Sequence, residues 1–167
     1  MGPAFAAVGA GVAALLESTI ASRYQIVGAQ LQISLVFAVA VTLVYGFEEG
    51  MAWAFVGGLC LDLFLMRPLG SHVFELLIAV ALAALAEPLL RRSRYAGCVI
   101  AVFVVTPVFL VVSDATTALL RPPAPPLYIT DLIAAAVANA IVAAVAVPFL
   151  VGIKRRAEQR ERVLWWR

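Results

Sequence analysis

The chain has 167 residues, of which 64% are hydrophobic and 13% charged, with a formal net charge of +2 at pH 7. A soluble domain carries about 25% charged residues, so this composition excludes a soluble globular protein and points to an all-α integral membrane protein. The apolar runs are rich in Ala, Val and Leu and lack the alternation of a barrel strand, so the spanning units are expected to be helices of about 20 residues.

Breakers and charges divide the sequence into six candidate spans, approximately 4–21, 31–45, 51–65, 73–90, 97–119 and 128–153. Together they make residues 1–156 a polytopic domain, followed by a basic and aromatic tail over 157–167. The first apolar stretch has no Lys or Arg before it, so it is expected to be a retained span and not a cleaved leader. The second and third are short and are linked tightly through "YGFEEG", while "MRPLG" closes the third. The loops after spans one, three and five carry Arg23, Arg67 and Arg121. The opposite side carries Arg91, Arg92, Arg94, Lys154, Arg155, Arg156, Arg160, Arg162 and Arg167. By the positive-inside rule both termini are expected in the cytoplasm. "RPPAPP", residues 121–126, cannot continue a helix and is expected to be a stiff connector. The tail, with Trp165 and Trp166, is expected to extend the last helix and anchor at anionic lipid headgroups, or to meet a cytoplasmic protein.

Catalytic and metal chemistry find little support. Cys60 and Cys98 lie in apolar runs without a CxxC pattern and are expected as buried apolar side chains. His72, the single histidine, leaves no zinc set and no Ser-His-Asp arrangement; it is expected to be solvated or capping. No cofactor, metal, nucleic-acid partner or enzymatic activity is expected.

The polar residues within or beside the runs are Glu17, Asp62, Glu75, Glu87, Asp114, Asp131 and Asn139. Asp62 is the most demanding, because a carboxylate near a bilayer centre costs roughly 2.5–3.5 kcal/mol on insertion scales. Gly50, Ala54, Gly58 and Asp62 recur every four residues, as do Gly9, Ala13 and Glu17, and again Asp131, Ala135, Asn139 and Ala143. Such stripes of small side chains let helix backbones approach closely, each here with a hydrogen-bonding group. Asp62 is therefore expected to face protein and to hold a neighbouring helix. Two functional readings compete: a proton or cation path, which lacks an intramembrane Lys, Arg or His as relay partner, and an outward-open cavity for a small ligand. "VAALLE" and "LAALAE", ending at Glu17 and Glu87 and each followed by an Arg-Tyr pair, also allow an inverted repeat of three plus three helices.

The run "GMAWAFVGGLCLDLFLMRPLG" resembles the G-x-x-x-G-x-x-x-D and P-L-G pattern of the rod shape-determining protein MreD family. "VANAIVAAVAVPFLVGIKRR" is similar to that family's Asn, then Pro, then basic tail, with Asn139, Pro148 and Lys154–Arg156 in those places. The resemblance runs through residues 31–91 and 128–156. It departs at the start of the second span, where "GAQLQ" puts Gln30 and Gln32 in place of Pro-Asp. The resemblance implies a non-enzymatic subunit of the bacterial elongation machinery in the inner membrane. Its implied associates are MreC, the MreB filament, the glycosyltransferase RodA and a class B transpeptidase. It also implies a helix layout similar to the substrate-binding subunits of energy-coupling-factor transporters, so a vitamin-binding transporter subunit is the alternative. The expected packing or partner-interface residues are Ala54, Gly58, Asp62, Pro68, Gly70, Asn139 and Pro148. Arg91, Arg92, Arg94, Lys154, Arg155 and Arg156 are the expected headgroup contacts, and self-association of two copies stays open.

Overall fold

A computed structural model describes residues 3–21, 31–90, 93–120 and 128–164. The expectations for Arg23, Gln30, Arg91, Arg92, the 121–126 connector, Trp165 and Trp166 lie outside the described residues. Among the described residues six helices follow one another: α1 (Pro3–Leu16, continued by a π-helical turn, Glu17–Ala21), α2 (Ile33–Tyr45), α3 (Phe47–Phe64), α4 (Ser71–Leu90), α5 (Arg94–Leu120) and α6 (Ile129–Leu164). No strand occurs among the described residues.

Three segments, Ser71–Leu90, Arg94–Leu120 and Ile129–Arg156, are long and apolar enough to cross a membrane; Ala6–Thr19 and Ile33–Tyr45 are shorter apolar helices. The second expected span is as short as its sequence suggests. Its helix has 13 residues, about 20 Å of rise against roughly 30 Å of bilayer hydrocarbon. Leu35, Val36, Ala38, Val39, Ala40 and Val41 are fully buried, as befits a helix that is apolar on all sides. It packs against each of the other five helices, which neighbour one another in the succession α1, α3, α4, α5, α6. α2 is thus the core around which the longer helices stand.

The link between α2 and α3 is shorter than "YGFEEG" suggests. Gly46 alone makes it, at φ 134°, a backbone conformation that only glycine adopts without strain. Phe47, Glu48 and Glu49 form the first turn of α3, where two carboxylates suit the positive end of the helix. Across this hairpin Gly50 meets Thr42: a β-carbon at Gly50 would overlap Thr42 Oγ1 and lie 3.0 Å from its Cα. On the facing side Trp53 is buried and stacks on Phe37 with ring centroids 5.6 Å apart.

α6 runs on well past the expected end of its span. Its 36 residues span about 54 Å, so the tail is helical as far as Leu164. The α2–α3 link lies beside its basic stretch, because Lys154 Nζ donates to Val44 O at 2.6 Å and Tyr45 Oη donates to Leu150 O at 3.1 Å. Arg94 opens α5 and lines one cavity together with Lys154 and Arg155. This is the basic end of the bundle, and the α3–α4 turn lies at the other.

Candidate functional site

The densest polar cluster forms where α3 hands over to α4. α3 ends in a Schellman-type turn: Leu65 N–H donates to Leu61 O at 2.9 Å and Arg67 N–H to Asp62 O at 3.0 Å. Met66 takes the left-handed position at φ 50°, where glycine is usual. Gly70, at φ 96°, leads into α4, and Ser71 Oγ donates to Pro68 O at 2.8 Å.

Asp62 closes this turn from within. Its Oδ2 accepts from Gly70 N–H at 2.7 Å, and its Oδ1 accepts from Ser71 Oγ at 3.0 Å, His72 N–H at 3.0 Å and His72 Nδ1–H at 2.8 Å. Three donors converge on Oδ1 and one on Oδ2, and the Ser71 hydroxyl, with a single proton, is shared between Oδ1 and Pro68 O. The carboxylate thereby satisfies amides at the start of α4 that no helical carbonyl can reach. Four residues earlier, Gly58 lets the two backbones meet. A β-carbon there would lie 2.6 Å from Val73 N and Cα and 3.0 Å from His72 C. Glycine for approach and aspartate for capping form one clamp, and the helix that Asp62 holds is α4.

Two sequence expectations change here. His72 is not solvated; it is 6% exposed, and its ring joins Asp62 to Arg67, whose Nη1 lies 3.1 Å from Nε2. Arginine only donates, so Nε2 accepts and Nδ1 carries the proton given to Asp62. The acids also have a counter-charge after all, because the chain turns back at Pro68 and folds Arg67 inward. Arg67 Nη1 lies 3.9 Å from Glu75 Oε1, Nη2 donates to Thr117 Oγ1, and Thr116 Oγ1 donates to the same Glu75 oxygen. Glu75 is fully buried and its Oε2 has no partner. Arg67, Ser71, His72, Thr116 and Thr117 were absent from the expected set. The available signal is Ser-His directly after a Pro-Leu-Gly turn, nine and ten residues beyond an aspartate.

A second polar pairing sits at the start of α2. Asn139, fully buried on α6, accepts from Gln32 N–H at 3.0 Å through Oδ1 and reaches Thr106 Oγ1 at 3.4 Å through Nδ2. Glu17 Oε2 accepts from Ser34 N–H at 2.7 Å. The stripes of α1 and α6 therefore also carry groups, Glu17 and Asn139, that bind backbone amides at the start of α2, and Ala13, Ala135 and Ala143 are buried along them. Glu87, the counterpart of Glu17 in the suggested repeat, instead lines a cavity beside Arg94.

Of the expected interface residues, Ala54, Gly58, Asp62 and Asn139 are buried within the chain, Gly70 is half-buried, and Pro68 and Pro148 are exposed. Arg94, Arg155 and Arg156 are exposed, and Lys154 is half-buried. Asp114 and Asp131 are half-buried. Cys98 is buried as expected, whereas Cys60 is only partly so, and both are free thiols. Among the described residues no three His, Cys, Asp or Glu side chains gather as a metal set.

No curated protein and no solved structure matches the chain. A family model described as rod shape-determining protein MreD matches residues 8–153. That span runs from α1 to the residue before Lys154 and includes both capping clusters. The chain belongs to the MreD family of membrane proteins, whose role is rod shape determination.

Proposed function

We propose that this chain is a non-enzymatic scaffold of the cell-wall elongation complex in the bacterial inner membrane, and that it binds MreC directly. MreB, RodA and a class B transpeptidase are the further members of that complex. In this reading the bundle passes the membrane six times with both termini in the cytoplasm, so the α3–α4 turn faces outward. The family match across residues 8–153 carries the proposal. The geometry favours scaffolding over ion transport, because both carboxylate oxygens of Asp62 are engaged by the turn it caps.

Asp62 and Gly58 then act from behind the contact surface. They fix a turn that displays Met66 (84% exposed) and Leu69 (68% exposed) beside Pro68, an apolar knuckle on a rigid support. In cells lacking their own copy, wild-type protein is expected to restore rod shape, and a Met66→Glu/Leu69→Glu double variant to leave cells rounded at equal membrane abundance. Failure of the wild type to restore shape would refute the scaffold reading. Full restoration by the variant would remove the turn from the contact.

One observation favours the second reading, a membrane subunit that binds a small vitamin-like molecule with a layout similar to the substrate-binding subunits of energy-coupling-factor transporters. Gln32 Oε1 and Ser34 Oγ, at the start of α2, are buried without a hydrogen-bond partner, and such groups commonly meet a water or ligand. That reading requires a stoichiometric organic ligand in the mass spectrum of the purified protein.

A further inference from the structure

The basic end holds a cavity of about 520 Å³ between the start of α5 and the last membrane turns of α6. Arg94, Lys154 and Arg155 line it, with no acid among its described lining residues, and Val44, Pro148 and Val151 supply apolar wall. A second cavity of about 410 Å³ shares Arg94 and differs in charge, because Glu87 stands in its lining. Three cations in the described lining make the first cavity a place for an anion, and its apolar wall makes it a place for an anion with a hydrocarbon part.

The cations are not merely a solvated fringe. Lys154 Nζ is anchored on Val44 O at 2.6 Å and lies 5.6 Å from the centroid of the Tyr45 ring, which holds its charge at the cavity wall. Tyr95, also in the lining, is tied across to α6 by its hydroxyl, which donates to Ala144 O at 3.0 Å. Gly152 leaves the wall open: a β-carbon there would meet nothing within 4 Å. Below this level α6 presents exposed Val145 and Phe149, a surface along which acyl chains can lie. Basic pockets between helices at a membrane surface suit phosphate headgroups in this way.

We propose that this cavity binds the phosphate of an anionic phospholipid, held by Arg94, Lys154 and Arg155, with the acyl chains against α6. The inference goes beyond shape determination and does not depend on it. The test is native mass spectrometry of the full chain in detergent, titrated with phosphatidylglycerol, with phosphatidylcholine, or with glycerol phosphate as the headgroup without chains. Phosphatidylglycerol is expected to bind about tenfold more tightly than phosphatidylcholine. Arg94→Gln/Arg155→Gln is expected to abolish most of that preference, and Arg155→Gln alone, on an exposed side chain, to weaken it severalfold with the fold intact. Arg156, a headgroup contact by sequence expectation, stands exposed outside the described lining of the cavity, so Arg156→Gln is expected to change the preference less than twofold. Equal losses in Arg155→Gln and Arg156→Gln would reduce the effect to diffuse attraction and overturn the site. Competition by glycerol phosphate at equal concentration would assign the cavity to a soluble phosphate ester and overturn the lipid. Either failure leaves MreC binding and cell shape untouched as separate readouts.

Discussion

Asp62→Ala is expected to destabilise the bundle by about 2–4 kcal/mol, the largest single loss at the α3–α4 turn. Interhelical hydrogen bonds in membranes average about 0.6 kcal/mol each, so four bonds to Asp62 taken as independent sum to roughly 2.4 kcal/mol. Bonds to a charged group run higher, about 1.5–3 kcal/mol, but the four share one carboxylate and do not add independently. Removal strands Gly70 N–H, His72 N–H and the imidazole, and leaves Arg67 with Glu75 and Thr117. Asp62→Asn is expected to lose about half as much. Its oxygen still accepts at His72, while its amide meets the Gly70 N–H donor to donor. Reversible unfolding in detergent or bicelles measures both, and an Asp62→Ala loss below about 0.5 kcal/mol would refute the capping role.

Gly58→Leu is expected to have the second-largest effect, about 1–3 kcal/mol from overpacking. The atoms that its β-carbon would strike are the backbone of Val73 and His72, so no side-chain rotation relieves the clash. α4 has to withdraw, and Asp62 bonds of 2.7–3.0 Å do not survive a shift of about an ångström. The double variant Gly58→Leu/Asp62→Ala is therefore expected to cost clearly less than the sum of its parts. Strict additivity would show that glycine and aspartate do not form one clamp.

Much of this was legible in the sequence. Composition and run length indicated a helical membrane protein, and four-residue spacing placed Gly58 and Asp62 on a face that packs against protein. The family resemblance rested on those same residues. Other features depend on where the chain turns, which periodicity does not report. Arg67 reads as a loop cation until Met66 and Gly70, both at positive φ, fold it back toward Glu75. His72 reads as a lone helix-start residue until α4 docks on Gly58 and carries the imidazole to Asp62. The uniformly apolar sequence of α2 does not tell lipid-facing from protein-facing residues; its enclosure by five other helices shows that those residues meet protein. Asn139 falls on a small-residue stripe, yet its partner, the backbone N–H of Gln32, has no signature in side-chain pattern.

Affinity capture of MreC by the tagged chain from solubilised membranes, quantified as MreC recovered per copy, tests the scaffold claim most directly. The account predicts recovery close to one MreC per chain for the wild type, and recovery reduced about tenfold or more for Gly58→Leu, because the displayed turn loses its support. Absence of MreC from the wild-type capture, under conditions that keep the bundle folded, would contradict it.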